Sequence, residues 1–156
     1  MILLHAESRA IARYISEKFE NQGTPLFGEG PKDRALVNQW LEVESQNYNP
    51  LVSSIVAQVV FYKLRGLATD EKVVEEQLAK LEKVLDVYEA HLSKNKYLAG
   101  NFFSIADLSH LPYTHYLVNV AKKGEGVTSR KHVNAWWEDI SSRPAWKKVL
   151  ELQAKK

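Results

Sequence analysis

YLAGNFFSIADLSHLPY, residues 97 to 113, decides how this chain folds. Ser104 stands three residues before Asp107. At that spacing a hydroxyl takes an orphan N–H of the first helical turn, while the carboxylate reaches back to the cap's own N–H. A helix is therefore expected to start at Ile105, with Ser104 and Asp107 as a structural capping box. Pro112 falls inside this helix and is expected to kink it.

Working outward toward the N-terminus, Val74, Leu78, Leu81, Leu85, Tyr88 and Leu92 recur in steps of four and three. That stripe predicts a helix packed in a bundle core, with Asp70 as its cap. Before it, a long helix is expected from Lys32 to about Arg65, ended by Gly66 and bent or broken at Pro50. Its second half is apolar nearly all round, which calls for a central position. NQGTPLFGEGP (21 to 31) holds three glycines and two prolines and reads as a connector. Residues 8 to 20 form an amphipathic helix with Ile11, Tyr14, Ile15 and Phe19 on one stripe, and Ile2-Leu3-Leu4 a short strand before it. Toward the C-terminus, a loop at 122 to 126 precedes a helix over 130 to 142 carrying Val133, Trp136, Trp137 and Ile140. Pro144 opens a last helix with Trp146, Val149 and Leu150 facing inward. The fold class is all-α.

Twenty-one basic residues against nineteen acidic give a net charge of +2 over 156 residues. No basic block exceeds two lysines, so no nucleic-acid partner is expected. The chain has no cysteine, which removes disulfides, thiolate metal sites and a cysteine nucleophile. The most apolar stretch, Leu51 to Leu64, is interrupted by Ser53, Ser54, Gln58 and Lys63, so no membrane span is expected. A cytoplasmic location follows as the default expectation.

His5, His91, His110, His115 and His132 show no metal-ligand spacing, and no metal or resident cofactor is expected. Ser109, His110 and Asp107 crowd one helical turn, where a catalytic triad has no geometry. Tyr48, in NYNP before the proline of the long helix, has two readings. It plugs the kink, or it lines a space between helices that a small apolar ligand enters. Glu7-Ser8 likewise has two. Ser8 is an ordinary N-cap, or the hydroxyl and first-turn N–H groups receive a carboxylate while Glu7 meets a cation, which suits a zwitterionic amino-acid head group.

Several stretches carry a resemblance: ESRAIARYI (7 to 15), NQGTPL (21 to 26), the long helix through NYNP (47 to 50), ATDEKVVEEQLAKLEKVLDVYEAHL (68 to 92), YLAGNFFSIADLSHLPY (97 to 113) and RPAWKKVL (143 to 150). In this order the chain resembles the glutathione S-transferases, and among them the plant phi class. The resemblance implies a glutathione-transferase C-terminal-type helical bundle over 32–156, a linker at 23–31, and the last strand and helix of a thioredoxin-like glutathione-binding domain at 1–22. Glu7 and Ser8 match the pair that holds the γ-glutamyl end of glutathione, and Tyr48 matches a position lining the hydrophobic-substrate pocket. Ser104 and Asp107 match the family's capping box and buried aspartate, which are folding elements.

One departure matters. The family's thiol-activating serine, near the start of the thioredoxin-like domain, has no counterpart here, so no catalytic residue is assigned. The resemblance implies conjugation of glutathione, as co-substrate, to hydrophobic electrophiles, with weak or absent activity in this chain. The alternative is a non-catalytic hydrophobic-ligand-binding or dimerising helical protein. The resemblance also implies a homodimer, because the family dimerises through the helix after Ser8 and the front half of the long helix, and both are present.

Overall fold

The computed structural model describes residues 6–155; the expected strand at Ile2-Leu3-Leu4 lies outside them. Among the described residues no β-strand occurs. Tyr97 and Gly100 alone exchange backbone hydrogen bonds, closing a turn. The all-helical expectation holds.

Helix α1 (Ser8–Lys18) precedes the connector. Helix α2 (Pro31–Val43) opens on a proline, whose missing N–H costs nothing in a first turn. It leads through a π-helical turn, Glu44–Tyr48, into α3 (Asn49–Val56). A second π-helical turn, Ala57–Phe61, leads into the short α4 (Tyr62–Leu64). Of the bend or break expected at Pro50, the break does not occur. The Asn49 N–H reaches five residues back to the Glu44 carbonyl, and the wide turn ends just where Pro50 offers no donor. Gly66, at φ +70°, takes the left-handed conformation that stops this run.

Helix α5 (Glu71–Leu92) is capped by Asp70, which accepts the Val73 N–H at 3.2 Å. Its Val74, Leu81, Leu85, Tyr88 and Leu92 are buried, each apolar side chain contributing about 1.5–3 kcal/mol on transfer from water. Helix α6 (Ile105–His115) runs intact through Pro112 and passes into a third π-helical turn, Tyr116–Val120. The short α7 (Glu125–Thr128), α8 (Lys131–Ser141) and α9 (Pro144–Ala154) follow.

The core lies where α3, α5, α6 and α8 meet, around Tyr48, Leu85, Tyr88, Ile105 and Trp136. The connector is tied in by Phe27, which is buried, and by the Leu26 carbonyl, which accepts the Ile105 N–H at 2.9 Å. Of the three residues expected to face inward from α9, Trp146 packs against the core and Leu150 is half-buried, whereas Val149 is 42% exposed, where the helix lies along α6. Helix α1 buries nothing fully: Tyr14, Ile15 and Phe19 face solvent, and the helix is fastened by arginines instead.

Candidate functional site

A cavity of about 360 Å³ opens between α1 and α6. Ser8, Arg9 and Ala12 reach it from the first turns of α1. Glu44 and Asn49 come from either end of the π-helical turn that precedes α3. From α6, Leu108 and Pro112, and Ser109 and Tyr113, form two i, i+4 pairs on its facing side. The lining mixes the polar Ser8, Arg9, Glu44, Asn49 and Ser109 with the apolar Ala12, Leu108 and Pro112.

Glu44 is the buried acid of this cavity, only 2% exposed. Arg9 donates to its Oε2 from both Nε and Nη2 at 2.5 Å. Burial pushes the Glu44 carboxyl up, and the hydrogen bond and charge of Arg9 pull it part of the way back. The same bond raises the guanidinium of Arg9. One helical turn on, Arg13 donates to Asn38 at 2.8 Å and to Glu42 at 3.2 Å. Helix α1 is therefore held against α2 by a row of charge-assisted bonds.

Glu7 takes the N-cap position of α1 at φ 65°, ψ 86°, a left-handed conformation that costs a non-glycine residue about 1–2 kcal/mol. Its carbonyl accepts the Ile11 N–H at 3.1 Å, and its side chain makes no cap hydrogen bond. Ser8 is accordingly not the cap. It is the first helical residue, and its place in the cavity wall leaves the hydroxyl free of a capping duty. Of the Glu7-Ser8 pair, Ser8 lines the cavity and Glu7 does not.

Tyr48 lies in the core at 1% exposure and does not line the cavity between α1 and α6. Its hydroxyl pairs with Thr114 Oγ1 at 2.7 Å, and its ring stacks on Tyr88 at 5.7 Å. Burial holds the phenol well above its ordinary range. In this arrangement it plugs the wide turn, and Asn49 beside it is the residue that faces the cavity.

Ser104 and Asp107 sit apart from the cavity, at the base of α6. Asp107 is fully buried. Its Oδ2 accepts from Ser104 N–H and Oγ–H at 2.9 and 3.0 Å; its Oδ1 accepts from Leu98 N–H and Trp136 Nε1–H at 3.0 and 2.9 Å. Burial raises this carboxyl against the pull of those four donors. No group of three or more metal-binding side chains occurs among the described residues, and no described helix is long and apolar enough to cross a membrane.

Arg9, Glu44, Asn49 and Tyr113 were not singled out by motif, and Ser109 only as a member of a triad without geometry. Glu44 carried a readable signal, an acid three and four residues after Leu41 and Trp40 on an apolar stripe. The others became visible only when α1 was laid against α6.

The family of the glutathione S-transferase C-terminal domain matches residues 48–144. Glutathione S-transferase F9 of Arabidopsis thaliana is 52% identical over 144 residues, which cover 92% of this chain and 67% of that protein. The crystal structure of glutathione transferase F2 from Populus trichocarpa superposes with a TM-score of 0.94 at 43% identity, over 97% of this chain and 71% of its own. Glutathione S-transferase I from maize, solved in complex with an atrazine glutathione conjugate, gives a TM-score of 0.88 at 41% identity, over 96% and 69%. The chain spans about two thirds of the length of the curated relatives it matches. With this helical fold and these similarities, the chain belongs to the glutathione S-transferase family, in its plant phi class.

Proposed function

We propose that the protein serves glutathione conjugation of hydrophobic electrophiles, with Ser8 at the γ-glutamyl end of the bound tripeptide and Glu7 beside it. The observation that carries this reading is the cavity at Ser8. A serine in the first turn of α1 offers a hydroxyl next to unpaired backbone N–H groups, the setting that favours a carboxylate. Among the lining residues Ala12, Leu108 and Pro112 offer apolar surface to the hydrophobic partner. Tyr48 belongs to that reading only through its hold on the wide turn that presents Asn49. Residues 1–22 then act as the end of a glutathione-binding domain, 23–31 as the linker and 32–156 as the helical domain.

The family's thiol-activating serine has no counterpart within these 156 residues, so the chain by itself conjugates glutathione to a chlorodinitrobenzene weakly or not at all. Calorimetric titration with glutathione, run beside the conjugation assay, tests both halves. Binding without turnover supports the reading, and no heat of binding overturns it.

The second reading, a dimerising helical protein, is favoured by one observation. Tyr14, Ile15 and Phe19 present an exposed apolar stripe on α1 at 43 to 49% exposure. Light scattering at high concentration decides it, with a mass of two chains expected and a mass of one chain excluding it.

A further inference from the structure

A second cavity, of about 200 Å³, lies between α6 and the start of α9. It shares Leu108 and Pro112 with the first but takes no residue from α1 or from the long helix. Phe103 and Leu111 bring it down to the core, where both are buried. Leu108 and Val149 keep 37% and 42% of their surface exposed, so the recess is open to solvent. Every lining residue is apolar except one, Arg143.

The guanidinium of Arg143 lies over the Phe103 ring, with its central carbon 3.9 Å from the ring centre. Stacking of that kind uses a face of the group and leaves its in-plane N–H donors for other partners. Among the described residues Arg143 joins no ion pair. The acids that flank it in sequence are committed elsewhere. Glu138 accepts from Asn134 at 3.0 Å, Asp139 accepts the Tyr97 hydroxyl at 2.7 Å, and Glu151 pairs with Lys148 at 3.5 Å. Glu151 is also the one acid against four basic residues from Arg143 to Lys155. A half-buried cation without a counter-ion, set in an apolar wall, is complementary to an anion that carries an apolar tail.

We infer that this groove binds small acyl carboxylates, with Arg143 receiving the carboxylate and Leu108, Leu111 and Val149 holding the chain. The two oxygens of a carboxylate match the paired donors of a guanidinium. An acyl chain suits a wall that is mainly aliphatic, since one of its two aromatic rings, Phe103, already carries Arg143. The inference goes beyond the glutathione reading, because it requires neither Glu7, Ser8 nor the cavity beside α1.

The test is calorimetric titration of the full chain with octanoate, octanol and octylammonium. Octanoate is expected to bind about tenfold or more tightly than octanol, the margin of one charge-assisted contact, and octylammonium not at all. Arg143→Met keeps the stem over Phe103 and removes the donors. It is expected to remove the margin and leave octanol unchanged. Val149→Trp fills the groove from an exposed position without removing a donor, and it is expected to weaken octanoate and octanol alike. This pattern upholds the inference whether or not glutathione binds. Equal binding of octanoate and octanol, no octanoate binding, or octanoate binding untouched by either variant overturns it. No octanoate binding together with a light-scattering mass that falls from two chains to one in Val149→Trp also overturns it, and gives the groove to a second copy.

Discussion

Tyr88 donates its hydroxyl to Nε2 of His110 at 3.0 Å, because Nδ1 of that ring is committed to the Ala106 carbonyl at 2.7 Å. A carbonyl can only accept, so Nδ1 carries the proton and Nε2 is left as the acceptor. Both residues are fully buried. Tyr88→Phe strands that nitrogen with no water to replace the hydroxyl. It is expected to destabilise the fold by about 1–3 kcal/mol in urea unfolding, with no change in the far-ultraviolet dichroism of the native state.

The same ring makes stability pH-dependent. Burial lowers His110 from its ordinary 6.5 to about 3. Between those values the unfolded chain takes up a proton and the folded one does not, so this contribution is full above pH 6.5 and is lost on the way down to about 3. The slope is about 1.4 kcal/mol per pH unit. The raised carboxyls of Glu44 and Asp107 act in the opposite sense, gaining stability as they protonate in the fold. Comparing wild type with His110→Gln by urea unfolding at neutral and acidic pH isolates the histidine. The difference between the two proteins is expected to shrink on acidification.

Asp107→Ala should be among the most damaging single changes. It leaves four donors at the base of α6 without their acceptor, from Leu98, Trp136 and twice from Ser104. At about 1–3 kcal/mol for each buried orphan, the loss is at least about 4 kcal/mol. Failure to accumulate folded protein, or a collapse of the thermal transition, is the expected result.

Helix α8 is started by a residue from another helix. The Glu89 carboxylate of α5 accepts the N–H groups of His132 and Val133 at 2.9 to 3.1 Å, where the local cap residue Arg130 offers no side-chain bond. Glu89→Ala is expected to cost about 1 kcal/mol. Hydrogen exchange should speed up selectively at the amides of residues 131–134.

Arg9→Met tests the fastening of α1. It keeps the side-chain stem and removes both bonds to Glu44. Because α1 buries no residue fully, its amides are expected to lose protection while those of α5 and α6 keep theirs.

What could be read from the chain follows from how local each cause is. The Ser104–Asp107 spacing and the Asp70 cap act within three residues, so they were legible before any packing was known. The stripe of α5 was legible because one helix carries it unbroken. The outcome at Pro50 was only partly legible because it depends on the turn before it: of the expected bend or break, the helix took a widening at Glu44–Tyr48 that keeps it continuous, and Tyr48 sits in the core. Val149 misled because an apolar stripe states a preference for cover without saying whether anything covers it. The pair at the centre of the site, Arg9 and Glu44, is 35 residues apart. Nothing in either neighbourhood named the other, and only the anomaly of an acid on an apolar stripe marked one end.

The three π-helical turns have a consequence for how this chain tolerates change in length. Each carries one residue beyond what an α-helix needs over the same rise, so the side chains after it are rotated by about 100° from the phase of those before. Deleting one residue within Ala57–Phe61 would let the helix close its usual hydrogen bonds and still reach Leu64. Because the residue removed is the extra one, Tyr62, Lys63 and Leu64 would keep nearly their present azimuth. In these segments the wide turn acts as a store of one residue, so loss of a single residue there is absorbed without re-aiming the face beyond it or breaking the rod that carries it.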